Sequence, residues 1–308
     1  MSYDLPPGDP RAASLTRAVV FGAPDVVMLD LPQLTEDQPA HRPLIAAHAS
    51  PWPGEIAVFR SPSTDGFELL TTFGSRARMG TLVSDFHAGP TARFDLGNVL
   101  VVDLLTGTLE SVTDLTLFGG ANALAVESAP GLWEIVQAGA AELLAPGQYR
   151  LTRLLRGQRG TEHAMGNPAP AGCRVVVLDD SLAVLPIAEA DLGIPWNWRI
   201  GPASRPVSDE TYVAQVFTPA GVGLRPFSVA HIEQPWRTAR SPGDLTIRWT
   251  RRSRALVADA WEQVEVPLAE ELEAYEVGEC LKLCVSDRAH AVFRYGQASK
   301  RPANIMAS

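Results

Sequence analysis

The stretch Tyr149-Arg-Leu-Thr-Arg-Leu-Leu-Arg-Gly-Gln-Arg-Gly-Thr-Glu162 restricts the fold more than any other part of the chain, because an Arg/Leu pattern runs straight into a Gly-x-x-Gly-Thr-Glu turn. Arg150, Arg153, Arg156 and Arg159 fall three residues apart while Tyr149, Leu151 and Leu155 alternate, so the periodicity alone fits helix or strand. The flanks select the strand. Pro146-Gly147 is a turn signal ahead of it, Gly157 and Gly160 behind it permit positive φ, and Trp133-Glu-Ile-Val-Gln137 lies upstream as a hairpin partner.

The same grammar of short apolar runs stopped by turn formers extends along the chain. Strands are expected from about Arg17 to Phe21, over Asp25-Val-Val-Met-Leu-Asp-Leu-Pro32, after Pro51-Trp-Pro-Gly54, and over Phe67–Phe73, Arg93–Leu105, Ala123–Val126 and Arg174–Asp180. Glycine and proline, 25 of each, make up roughly a sixth of the residues, which suits many short strands better than long helices. The expected fold class is mainly β: antiparallel sandwich or barrel domains followed by a second β unit. Residues 1–14 read as a flexible lead and 15–205 as a β-rich domain with room for two subdomains. The Pro/Ser/Thr-rich segment from Pro202 to Gly223 marks the passage to a unit over 206–308. There Leu245, Ile247 and Trp249 alternate inward ahead of Arg251, and Tyr275-Glu-Val277 enters another strand. A strand tryptophan with a later tyrosine-bearing strand has the look of a fibronectin type III module, with a long intervening loop over 253–273.

Charge and cysteine usage narrow the function. A formal charge of −9 and a pI near 5.2 argue against a general phosphate-binding surface, so no nucleic-acid partner is expected. Lys282 and Lys300 are the only lysines among 26 basic residues, and the arginines supply planar donors suited to fixed interfaces. Cys173, Cys280 and Cys284 form no disulfide framework: Cys280 and Cys284 would stand about 13 Å apart in an extended strand. With His290 the nearest further ligand and no second Cys/His pair, structural thiols are expected and no metal or cofactor. The N-terminus has no basic and apolar signal pattern, and no apolar run is long enough to span a bilayer.

No Gly-x-Ser-x-Gly elbow, His-Glu-x-x-His helix, Gly-Lys-Ser/Thr loop or Cys-x-x-Cys pair occurs. Gly221-Val-Gly223 lacks the third glycine, the strand and the helix of a dinucleotide loop and reads as a linker. The six histidines, His41, His48, His87, His163, His231 and His290, are scattered without an associated nucleophile. Asp179 with Asp180 and Glu189 with Asp191 are acidic pairs, but neighbouring acids on a strand point to opposite faces and acids beside turns commonly cap them. Trp196 and Trp198 share one strand face and, with Trp52, are candidate glycan-stacking or interface aromatics; such pairs more often anchor a core. The turn residues Arg156, Gly157, Arg159, Gly160, Thr161 and Glu162 form either a self-contained structural device or a docking surface for another subunit.

At these residues the chain resembles the C-terminal part of the large tail-tip proteins of siphophage-like particles, in particular the gene transfer agent baseplate family. The resemblance runs through ordered blocks: Met28-Leu-Asp-Leu-Pro32, Pro51-Trp-Pro-Gly54, Gly119-Gly-Ala-Asn122, Trp133–Gln137, Leu154–Glu162, Arg225-Pro-Phe-Ser228, Ile247–Arg254, and Val266–Glu271 with Tyr275-Glu-Val277. Family members are far longer, with hub modules and a glycosidase-like barrel upstream, so the chain is expected to correspond to the C-terminal portion. From Gly278 to Ser308 it departs from the family pattern.

The resemblance implies a noncatalytic structural component of a phage-like tail tip or baseplate, made in the bacterial cytoplasm and carried in the particle tail. It would be oligomeric there, with other tail or baseplate subunits as partners, and would act in attachment to or penetration of the recipient envelope. Two alternatives stand beside it: a carbohydrate-binding module for surface polysaccharide, on Trp52, Trp196 and Trp198, and an envelope-degrading hydrolase, which would need two carboxylates converging across a cleft.

Overall fold

The computed structural model describes residues 20–233, 248–255, 269–271, 273, 275–280 and 290–294. Strand outweighs helix 38% to 8%, so the chain is mainly β, and every strand pairing among the described residues is antiparallel. In chain order the strands are β1 (Asp25–Leu29), β2 (Leu44–His48), β3 (Ile56–Ser61), β4 (Glu68–Phe73), β5 (Met79–Leu82), β6 (Leu100–Leu104), β7 (Ala123–Ala129), β8 (Leu132–Ala145), β9 (Gln148–Leu155), β10 (Arg174–Val177), β11 (Ala183–Val184), β12 (Trp196–Pro202) and β13 (Val213–Phe217). Four more follow: β14 (Ala230–Glu233), β15 (Arg248–Thr250), β16 (Glu276–Cys280) and β17 (His290–Arg294). Among the described residues a short α-helix, α1 (Asp114–Phe118), begins at Thr113, whose side chain accepts from the Thr116 amide.

Six strands close into a barrel in the order β10-β5-β6-β9-β8-β7, and the β7–β10 ladder completes the ring. Its interior is packed with Leu82, Leu100, Val102, Leu124, Val126, Val136, Leu151, Leu154, Val175 and their neighbours. On β5, Gly80 is required by the approach of β6: a Cβ there would lie 1.8 Å from the Asp103 carbonyl oxygen.

Beside the barrel stand a three-stranded sheet, β1-β2-β11, and a four-stranded sheet, β13-β12-β3-β4. Period-two alternation divides β1 between two cores. Val26 and Met28 pack with Ile45, Ile56, Val58, Trp198 and Ile200 toward the four-stranded sheet. Val27 and Leu29 pack with Leu44, Ala46, Met79, Ala125, Trp133 and Val176 against the outside of the barrel. The three-stranded sheet is thus a middle layer buried on both faces, which is why Val26–Leu29 reads as an unbroken apolar run. Each fully buried Val or Ile in it contributes roughly 1.5–3 kcal/mol.

The four-stranded sheet continues past residue 205, because β13 pairs with β12 from Trp196↔Phe217 to Ile200↔Val213. Tyr212 closes the intervening loop, its hydroxyl lying 3.0 Å from the Pro202 carbonyl oxygen and 3.1 Å from that of Arg205. Beyond β13, the backbone of the Gly221-Val-Gly223 segment is taken up by a side chain of the protein itself: the amides of Ala220, Gly221 and Val222 donate to the Asp30 carboxylate at 2.5, 3.0 and 2.9 Å. That contact fastens the end of β1 to the start of the C-terminal segment. Of the residues expected to form a second unit over 206–308, β13 belongs to the four-stranded sheet and the described residues after it form two ladders, β14 with β15 and β16 with β17; the rest of the expected sandwich, the 1–14 lead and most of the last 30 residues lie outside the described residues.

Candidate functional site

The β8–β9 hairpin forms with the Trp133 segment as partner and turns at Pro146-Gly147. Within it the alternation changes parity. Tyr149 and Leu151 face the barrel interior, Arg153 adopts a left-handed conformation (φ 58), and from there Leu154, not Leu155, is the inward leucine. Gly139 lies opposite, and β8 switches in step, from Val136 and Ala138 to Ala141. The switch sends Arg156 inward, to the side of Leu154.

Arg156 is 1% exposed and is the centre of a buried charged cluster. Its Nε and Nη2 donate to the two oxygens of Glu134 at 2.7 and 2.9 Å, a bidentate fork. Its Nη1 reaches Asp95 Oδ2 at 3.1 Å and the His87 carbonyl at 2.9 Å, so four of its five N–H donors are used. The Phe86 ring lies under the guanidinium, 3.8 Å from centroid to Cζ. Two carboxylates around one cation leave a net negative charge, which backbone amides compensate: Gly157 donates to Glu134, and Gly97 and Asn98 donate to Asp95. Burial raises the Asp95 pKa, but the hydrogen bonds from Asn98, Gly97 and Arg156 outweigh it and hold the group below the ordinary carboxylate range.

The Gly-x-x-Gly-Thr-Glu turn is docked on this cluster. Gly157, Arg159 and Gly160 are all left-handed, with φ of 56, 56 and 79. Thr161 is buried; its hydroxyl accepts from the Ile135 amide at 2.9 Å and donates to the Gln158 carbonyl at 2.7 Å. Gly160 has a second reason to lack a side chain, since a Cβ there would meet the Phe227 ring at 2.5 Å. Glu162 accepts from Arg252 at 2.6 Å, and Arg252 in turn lies 5.3 Å over the Phe227 ring. Arg156 is therefore tied to its own barrel and Glu162 to the segment that follows. Arg159 is exposed and forms no ion pair or side-chain hydrogen bond among the described residues. A charged residue on the inward parity of β8, Glu134 before Val136 and Ala138, was the available signal for the buried pair.

The tryptophans separate. Trp198 is fully buried between the sheets, with Nε1 donating to the Phe217 carbonyl at 3.3 Å, and offers no face on which a sugar could stack. Trp52 is half-buried, and its indole N–H lies 3.2 Å from the Gly54 carbonyl oxygen and 3.1 Å from that of Gly74, which closes the loop ahead of β3 onto the end of β4. Trp196 is half-buried with the Arg60 guanidinium 4.4 Å over its ring.

The acidic pairs do not converge on a cleft. Asp179 accepts from Arg78 Nε at 2.6 Å and from the Ser181 amide and hydroxyl. Asp191 accepts from Arg60 at 2.7 Å and the Ala188 amide at 2.9 Å. Cys173 is unpaired beside the barrel core; burial, then Glu127 and Asp85, raise its pKa and favour the thiol over thiolate. Among the described residues no group of three or more His, Cys, Asp or Glu could hold a metal ion, and no helix is long and apolar enough to cross a membrane.

The fold and its charged cluster define a mainly β protein in which a packed six-stranded barrel shares a middle sheet with a sandwich. A family model described as Rcc01698-like, C-terminal, matches residues 77–176, about a third of the chain. The matched residues run from the approach to β5 into β10, stopping one residue before its end, and so take in all but the last residue of the barrel strands, with Arg156, Glu134, Asp95 and the left-handed turn. No curated protein matches the chain.

Proposed function

We propose that this chain is a noncatalytic structural component of a phage-like tail tip or baseplate, acting through assembly in attachment to or penetration of a recipient envelope. The observation that carries the reading is the ordered series of resemblance blocks in the sequence, three of which, Gly119–Asn122, Trp133–Gln137 and Leu154–Glu162, lie within the residues that the family model matches. The name of the matched family derives from Rhodobacter capsulatus, where a gene transfer agent is found.

The chemistry of the turn supports the same reading. Its strongest interactions are spent on rigidity, through a bidentate buried ion pair and Thr161 anchored on β8, and it also holds the following segment through Glu162–Arg252. The edge contact of Trp249 with Tyr275, ring centroids 5.0 Å apart, favours the fibronectin type III-like reading of the C-terminal unit. Its partners would be other tail or baseplate subunits. Peptide mass spectrometry of purified particles from the producing cell should recover this chain at constant ratio to the tail proteins; particles that lack it would refute the proposal.

A further inference from the structure

At one end of the four-stranded sheet, the β3–β4 loop and the start of β12 enclose an open pocket of about 410 Å³, within the roughly 300–1,000 Å³ of small-molecule sites. Its wall is the stack of Arg60 on Trp196, and Ser61, Ser63, Asp65 and Glu68 complete it. The loop is internally braced. Ser61 Oγ donates to the Asp65 carbonyl at 2.5 Å, Ser63 Oγ donates to Asp65 Oδ1 at 2.7 Å, and the Ser63 amide donates back to Ser61 Oγ at 3.2 Å. Asp191 fixes the guanidinium at 2.7 Å through Nη1 alone, so the remaining Arg60 donors have no protein acceptor among the described residues. The Glu68 carboxylate likewise has no partner among them, although Glu68 stands opposite Arg60 across the strands.

We infer that this pocket is a binding site for a neutral glycan. The aromatic and guanidinium wall offers a flat, partly apolar surface, and the Asp65 carboxylate braced by Ser63, the free Glu68 carboxylate and the spare arginine donors suit the alternating hydroxyls of a hexose. Electrostatics decide against an anionic polymer. Arg60 is neutralised by Asp191, which leaves Asp65 and Glu68 as the uncompensated charges at the opening, and these repel uronate or phosphate groups. Of the three candidate glycan or interface tryptophans, only Trp196 lines this site: Trp198 is core and Trp52 is held to Gly54 and Gly74. A glycan site here is independent of the particle assignment, since it would stand in a free binding protein equally.

The test is titration of the full chain, by saturation-transfer NMR and calorimetry, with di- to tetrasaccharides of glucose, galactose, mannose, N-acetylglucosamine and N-acetylgalactosamine, and with oligouronate and phosphorylated oligosaccharide as the anionic arm. Saturable binding of at least one neutral oligosaccharide is expected, weakened tenfold or more in Glu68→Ala, whose exposed side chain holds no part of the fold together, and abolished in Trp196→Ala. Absence of binding across the neutral panel, binding unchanged in Glu68→Ala, or preference for the anionic arm would each overturn the inference. Because Trp196 packs on the core, the Glu68→Ala result is decisive if Trp196→Ala unfolds.

Discussion

Removing the Arg156 guanidinium would leave the Glu134 and Asp95 carboxylates buried without their shared cation, and breaking a buried pair in this way costs about 3–5 kcal/mol. Arg156→Ala is expected to lose that amount in urea denaturation, and Arg156→Lys to recover little of it, because a point charge cannot make the fork to both Glu134 oxygens. Three positions on, the expected sign reverses. Arg159 holds a left-handed conformation that costs a non-glycine residue roughly 1–2 kcal/mol, and glycine there gives back about 0.4–1 kcal/mol in unfolded-state entropy. Arg159→Gly should therefore leave stability unchanged or raise it by up to about 1.6 kcal/mol; a clear loss would mean that the side chain makes a stabilising contact. Nothing in the sequence separates these two arginines, which sit in one motif with identical spacing. What separates them is the parity switch at Arg153, a backbone event at a residue type that rarely adopts positive φ.

Among the elements, the β8–β9 hairpin was legible because its turn and both strands carry their own signals, and β10 and β12 because their apolar residues alternate or run together. β2, β5, β11 and β13 were not. β2 is Leu-Ile-Ala-Ala-His, buried on both faces and so without alternation; β5 is four residues with a glycine; β11 is two residues; β13 lies in a Pro/Ser/Thr-rich segment that reads as linker. Arg93–Leu105, read as one strand, is a strand only over β6, because Asp95 turns the chain by accepting from Gly97 and Asn98. The barrel thus closes through the strand with the weakest local signal, and its closure depends on Gly80. Gly80→Ala places a methyl group against the β6 backbone and is expected to cost about 1–3 kcal/mol, as overpacking does. Gly22→Ala, with no atom within 4 Å of the added carbon, should be neutral in the same denaturation series. Equal effects of the two substitutions would remove Gly80 from its place in the seam.

For the molecule as a whole, the acid response follows from which groups are held away from their ordinary protonation. His48, at the β1–β2 edge, has its pKa lowered by burial first and by Arg76 second, against an opposing pull from Asp25. The folded chain then binds fewer protons than the unfolded chain below about pH 6.5, so stability falls as pH drops from there through the folded His48 value. The carboxylates act in a lower window. For Asp95, Asp179 and Asp191 burial raises the pKa, but their hydrogen bonds and arginine partners outweigh it and set the folded values below the unfolded one. Their stabilisation is present above about pH 4 and is lost as pH falls through those folded values. These three sit in different places, Asp95 inside the barrel, Asp179 joining the β10 exit to Arg78, and Asp191 fixing Arg60 on β3, so acid loosens barrel and sandwich together. The urea midpoint should accordingly be flat between about pH 7 and 8, decline gently as pH drops below about 6.5, and fall steeply below about pH 4. His48→Gln should remove the upper limb and leave the lower one unchanged, whereas a single steep transition in both proteins would show that His48 does not contribute to the acid response.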